Sequence, residues 1–226
     1  MEAYRCQDIR ERPYYTAREV SQYTNIKLGS FRSWVYRYDG HLIRAHLKKD
    51  RVAFSFMNLV EAYVVGGLRA AGVSMQRILK ALDYFAKAYP GIRHPLANYK
   101  CLSTDRKEVF WWESTGKCLS ASESGQYYFP EIHDLFKGHF EVGPDNLPIL
   151  FFPPQKGKVD KPKSQLCINP EILCGQPVIA GSRISARMIA DLHRSGESLK
   201  DIMYDFDLTR AQVMDAISFF PESKAS

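Results

Sequence analysis

Thr16 to Val52 reads TAREVSQYTNIKLGSFRSWVYRYDGHLIRAHLKKDRV. Thr16 with Glu19 has the form of a capping box, in which hydroxyl and carboxylate satisfy the free amides of a helix start. Ala17, Val20 and Tyr23 follow at helical spacing. Asn25 suits the left-handed position that closes a helix, and Ile26 plugs the turn. A second helix is expected from about Leu28 to Arg37, with Phe31, Trp34 and Val35 inward. That leaves Ser30, Arg32, Ser33 and Arg37 nearer solvent. Asp39-Gly40 is a turn signal, so two short strands with a basic edge are expected within Tyr38 to Val52.

Two short helices with a tight turn between them present the second helix to the DNA major groove, where Arg reaches guanine edges or phosphates. Arg32 and Arg37 are the expected readers, with Ser30, Ser33, Thr16 and Arg18 beside them. Arg44, Lys48, Lys49 and Arg51 on the hairpin are expected to touch phosphate, which sets affinity and salt dependence rather than sequence choice. Trp34 is assigned to the core, and His41 and His46 to the hairpin.

Charge supports the same end of the chain. The net +6 is unevenly placed: residues 1–100 hold 17 Lys and Arg against 8 Asp and Glu, a net +9, and residues 101–226 hold 14 against 17, a net −3. A basic head on a mildly acidic remainder favours a polyanion as partner for the head. The chain has room for one or two domains with real cores. No apolar run approaches the roughly 18 residues that span a bilayer, and MEAYRCQDIRERPYY has no apolar signal core. A cytoplasmic protein without a membrane partner is the expectation. Cys6, Cys101, Cys118, Cys167 and Cys174 form no metal-ligand spacing, so reduced, mostly buried thiols and no metal site are expected.

Further along, Met1 to Pro13 reads as a loose polar arm whose Arg5, Arg10 and Arg12 could reach phosphate. Ser55 is expected to cap a helix with Phe56, Leu59, Val60, Tyr63, Val64 and Leu68, ended by Gly72. Ser74 starts another with Ile78, Leu79, Leu82 and Phe85, closed near Pro90-Gly91. From Asn98 to Phe152 the pattern turns extended: Val109 to Trp112, Gln126 to Phe129 and Leu147 to Phe152 read as three strands of a small sheet, with a short helix near Glu131 to Lys137. Pro153 to Gln165, rich in Pro, Lys and Gly, reads as a linker. Residues 166–226 then carry three short capped helices, starting at Ser185, Ser198 and Thr209, in a bundle that is itself helix-turn-helix-like. The expected fold is mainly α with small β (α+β), divided as 1–97, a β-rich middle 98–152, a linker 153–165 and a helical domain 166–226.

Two resemblances sharpen this. Thr24-Asn25-Ile26, Ser30-Phe31-Arg32 and Trp34, then Leu68 to Ser74 and Ile78, resemble the DNA-binding head of MerR-type regulators. The likeness implies a winged helix-turn-helix that binds DNA as a dimer. Lys27 replaces the usual small hydroxyl cap there, and Gly29 sits where the second helix begins. In the tail, Gly175, Pro177, Val178, Ile179, Gly181, Ser182, Arg183, Ile184, Gly196, Glu197, Ser198, Leu208 and Thr209 resemble a small, formerly uncharacterised family. Its implied role is the antitoxin half of VapB-type pairs, whose partner is a PIN-like ribonuclease toxin.

No nucleophile–base pair, phosphate loop or acid dyad is present, so no enzyme, catalytic residue or cofactor is expected. Gly66-Gly67 lacks any phosphate-loop context. Asp201, Asp205, Asp207 and Asp215 read as solvated helix faces. Arg183, between turn glycines and an apolar strand, either pairs with a partner's carboxylate or ties down its own loop. Gly175, Pro177, Gly181 and Arg183, with Trp111 and Tyr127 of the middle region, are the candidate toxin-binding or interface residues. The sequence therefore suggests a homodimeric antitoxin that binds operator DNA and a toxin. The alternative is a MerR-like regulator responding to a small molecule bound in the middle region.

Overall fold

A computed structural model describes residues 8–38, 42–48, 51–88, 90–98, 110–112, 118–120, 138–155 and 164–221. The protein is mainly α with small two-stranded sheets, in two compact units, Met1–Ile149 and Leu150–Ser226. Among the described residues no helix is long and apolar enough to cross a membrane.

The first unit is built around α3 (Phe56–Ala70), an unusually apolar helix. Every residue from Phe56 to Val65 is buried, and so is Leu68. Ser55 caps it by accepting from the Asn58 amide, and Asn58 Oδ1 returns the bond to the Ser55 amide at 3.1 Å. Left-handed Gly72 closes it in a Schellman motif, with Val73 N–H donating to Leu68 O at 2.9 Å. Helix α4 (Met75–Ala88) follows, burying Ile78, Ala81 and Phe85.

α1 (Ala17–Thr24) begins at the Thr16–Glu19 capping box and ends at Asn25, left-handed at φ 56°, with Ile26 N–H donating to Ser21 O. α2 (Leu28–Tyr36) follows after that turn. Ile26 points at α3: a Cβ on Gly66 would lie 2.9 Å from Ile26 Cδ1 and 3.1 Å from Cγ1. Gly66 thus has a packing reason, a groove for the turn. Tyr15 and Phe54 exchange backbone hydrogen bonds at 2.9 and 2.8 Å, which ties the entry of α1 to the exit of the hairpin.

That hairpin, β1 (His46–Lys48) and β2 (Arg51–Ala53), pairs Lys48 with Arg51, while the expected turn at Asp39-Gly40 lies outside the described residues. Leu42 and Ile43 are buried in the core instead, 3% and 0% exposed. Their apolar side chains are worth more inside than on a two-stranded ribbon.

The middle region departs from one three-stranded sheet. β3 (Phe110–Trp112) pairs antiparallel with β4 (Cys118–Ser120), a strand the sequence did not signal. β5 (Phe140–Val142) and β6 (Pro148–Phe151) form a separate hairpin, with Gly143 N–H donating to Leu147 O and Asn146 left-handed at its turn. Short strands flanking strong turn signals pair locally, because closing a short loop costs least entropy. The expected strand Gln126–Phe129 and helix 131–137 lie outside the described residues.

In the second unit, the residues on either side of 156–163 are held together. Phe151 bridges Ile168, and Phe152 packs with Cys167 and Val178, so both flanks of the segment belong to one unit. Asp215, 7% exposed, accepts from the Gln155 side chain and from the Gln165 amide. It is a buried structural carboxylate, not part of a solvated face. β7 (Leu166–Cys167) pairs with β8 (Val178–Ile179). Three helices follow: α5 (Ala186–Arg194), α6 (Leu199–Asp205) and α7 (Arg210–Phe219), capped by Ser185, Ser198 and Thr209 as the sequence suggested. Left-handed Gly196 and Asp207 end the first two. Cys167 is buried, but Cys174 is exposed, contrary to the expectation for thiols.

The Ile26–Gly66 contact is testable. Gly66→Val should lower the stability of the protein by about 2 kcal/mol, the cost of overpacking a filled core. Ile26→Ala in the same chain should recover part of that loss, a coupling measurable by denaturant unfolding of both single variants and the double variant.

Candidate nucleic-acid interface

Burial of the inner face of α2 decides what its outer face displays. Phe31 is wholly buried against Phe54, ring centroids 4.8 Å apart, and Val35 is 6% exposed. Trp34 is half-buried. Gly29, Arg32, Tyr36 and Arg37 are left exposed, with Ser30 and Ser33 half-buried beside them. The Arg32 and Arg37 side chains have no hydrogen bond or ion pair among the described residues, and the same holds for exposed Arg18 and Arg44. These four guanidiniums, all within residues 18–44, are available to an anionic partner.

The other expected contacts divide by what else they do. Thr16 is exposed, but its hydroxyl is committed: it accepts from the Glu19 amide at 3.2 Å and donates to Glu19 Oε2 at 2.8 Å. Lys48 and Arg51 face each other across the hairpin at the backbone level. Lys49 and Tyr127 lie outside the described residues, and Trp111 is placed only by its backbone pairing with Leu119.

Arg10 is not free for phosphate. It bonds Asp8 at 2.6 Å and donates to both Asp145 oxygens, one of them at 3.2 Å, pinning the first turn (Ile9–Glu11) to the β5–β6 hairpin. Its guanidinium holds the Asp8 and Asp145 carboxyls below their ordinary range.

Next to this pair, His94 bridges two acids. Its Nε2–H donates to Glu11 Oε1 at 2.8 Å, and its Nδ1–H donates to Glu61 Oε1 at 3.1 Å. Two carboxylate acceptors require the imidazolium, since neutral imidazole has only one N–H. Burial pulls His94 toward the neutral form, but the Glu11 and Glu61 hydrogen bonds outweigh it and push the pKa up to about 10. His94 in turn lowers the Glu11 carboxyl. Glu11 and His94, with Asp8, Arg10 and Asp145, border a cleft of about 690 Å³ that also takes in Arg93, Asn98 and Leu147. The sequence offered one signal for this cluster: Asn58 and Glu61 interrupt an otherwise apolar helix and demand partners.

In the second unit, Gly175 and Pro177 are buried, while Gly181, at φ 80°, and Arg183 are exposed. The loop is tied by Ser182, whose hydroxyl donates to Ile179 O at 3.0 Å and accepts from Ile184 N–H at 3.1 Å. Arg183 therefore has no structural duty in its own turn and no partner among the described residues. Arg187, by contrast, sits over the Phe220 ring at 4.5 Å and serves packing. Among the described residues no three His, Cys, Asp or Glu side chains are grouped to hold a metal.

Comparison with known proteins places this geometry. Residues 167–220 match a family described as a protein of unknown function, DUF433. The whole chain is similar to a Mycobacterium tuberculosis protein named "Putative antitoxin VapB45", 28% identical over 91% of this chain and 92% of that one. A second protein of the same organism, named uncharacterized protein Rv2308, is 38% identical over 27% of this chain and 26% of its own. The fold matches the crystal structure of Rv2018 from Mycobacterium tuberculosis, with a TM-score of 0.69 and 29% identity, covering 92% of this chain and 98% of that chain.

The raised pKa of His94 favours folding below its unfolded value near 6.5, and that contribution is lost as pH rises through about 10. The depressed pKa of Glu11 acts oppositely, present above its ordinary value and lost in acid. The clamp is therefore expected to hold from mildly acidic pH up to about 10 and to fail in alkali. His94→Ala leaves Glu61 buried and unpaired; thermal melts should show a loss of about 3 kcal/mol at neutral pH and a flatter alkaline limb.

Proposed function

We propose that this protein is the antitoxin half of a type II, VapBC-like toxin–antitoxin pair. Its N-terminal unit acts as a MerR-like winged helix-turn-helix that binds operator DNA as a homodimer. Its partner is a PIN-like ribonuclease toxin, which it neutralises. The carrying observation is end-to-end similarity to a protein named as an antitoxin of the VapB type, over more than nine-tenths of both chains. The guanidiniums of Arg18, Arg32, Arg37 and Arg44, exposed and unpaired among the described residues, support the DNA half of the reading. Exposed Arg183 supports the toxin half: a planar guanidinium without intramolecular work is suited to a carboxylate on a partner, and PIN-like active sites are clusters of acids.

A second reading, a regulator responding to a small molecule, draws on the 690 Å³ cleft. The antitoxin reading is preferred because the cleft's main ionic groups, Asp8, Arg10, Glu11, His94 and Asp145, already pair among themselves.

Binding to duplex DNA from upstream of its own reading frame should weaken steeply with salt. Arg32→Ala should cost about 2 kcal/mol of affinity for that duplex and relax sequence preference at the contacted base pair. Each phosphate-contacting cation removed from the hairpin should lower the log K against log salt slope by roughly 0.9. Salt-independent binding, or none, would count against the proposal. For the toxin half, Arg183→Glu should abolish co-purification with the ribonuclease encoded beside it while leaving the melting temperature unchanged.

A further inference from the structure

Two residues on the outer stripe of α2 are exposed and make no side-chain hydrogen bond or ring contact among the described residues. Tyr36 is 65% exposed, the most exposed large hydrophobic residue described in the first unit. Gly29 is exposed, and nothing lies within 4 Å of where its Cβ would stand. A helical glycine weakens the helix relative to alanine, and nothing in the fold requires one at this position. With 3.6 residues per turn, positions 29, 32, 33 and 36 fall on one face. The stripe reads glycine, arginine with serine, then tyrosine, so an unpaired cation stands between a bare backbone and an aromatic ring.

We propose that this stripe is the base-reading edge of the DNA interface, with Gly29 allowing the sugar–phosphate wall to close on the first turn of α2 and the Tyr36 ring making the apolar, sequence-selective contact in the major groove. The inference rests on the duplex-binding reading above and assigns two residues that it leaves out. The occupant is duplex DNA because the helix is cationic on its exposed side: Arg32 lies in the stripe and Arg37 caps the same helix, both exposed and unpaired among the described residues. A ring contact suits the thymine methyl group, which marks A·T pairs in the major groove. An uncharged ring releases no counterion, so it contributes selectivity without salt dependence.

The test uses the full chain and fluorescence anisotropy on two labelled duplexes: one from upstream of its own reading frame and a scrambled one of equal length and composition. Tyr36→Ala is expected to weaken binding to the first duplex roughly tenfold. Binding to the scrambled duplex should change less than about twofold, and the salt slope should stay where it was. Gly29→Ala is expected to raise the melting temperature yet weaken binding to both duplexes, opposite signs that a merely structural glycine would not give. Wild-type affinity for the upstream duplex in Tyr36→Ala, or an equal loss on both duplexes, would overturn the selective role. Tighter binding to the single strand than to its duplex would overturn the groove contact in favour of base stacking. A wild-type chain that binds neither duplex would sink the duplex-binding reading itself, a result seen without either variant.

Discussion

The first unit depends on burying one helix from all sides. α3 has no solvent face from Phe56 to Val65, so each of its neighbours is defined by what it must cover. The α1–α2 turn covers Gly66 through Ile26, and Tyr63 meets His139 and Phe140. Burial also creates a debt at Asn58 and Glu61, since a buried amide or carboxylate without a partner costs several kcal/mol. The debt is met by a chain of bonds from Ser55 through Asn58 and Glu61 to His94 and Glu11. This chain fastens both the segment before α1 and the segment after α4 to the central helix.

The same geometry sorts the cations. Arg10 is locked between Asp8 and Asp145, and His94 between Glu11 and Glu61, so neither contributes a free charge. Arg18, Arg32, Arg37 and Arg44 keep theirs, because α1 and α2 spend their inner faces on Val20, Tyr23, Phe31 and Val35.

In the second unit, turns do what core size cannot. Leu173, Cys174 and Gly175 are all left-handed, as are Gly181, Gly196 and Asp207. Only glycine adopts that conformation at no steric cost, so Leu173 and Cys174 store strain that the neighbouring hydrogen bonds must hold. The bonds Gly175 N–H to Ile172 O and Gln176 N–H to Leu173 O do so. With Ser182 holding the next turn, Arg183 is displayed on a defined loop rather than a flexible one.

Helix starts were legible in the sequence, because a cap is a local event: Thr16, Ser55, Ser185, Ser198 and Thr209 need only the amides of the next turn. The left-handed stops at Asn25, Gly72 and Gly196 were legible for the same reason. The exposure of Arg32 and Arg37 followed from the apolar spacing of α2. Strand partners were not legible, since a strand records its own alternation but not what lies beside it; hence the separate hairpins and the Lys48–Arg51 register. Nor was the fate of single charges. Arg10 and Arg32 are alike in sequence, and only long-range contacts, Asp145 for one and none among the described residues for the other, decide that the first holds the fold while the second faces solvent. Likewise, Asp215 bonds Gln155 and Gln165, 60 and 50 residues away in the chain, a long-range tie that local sequence did not signal.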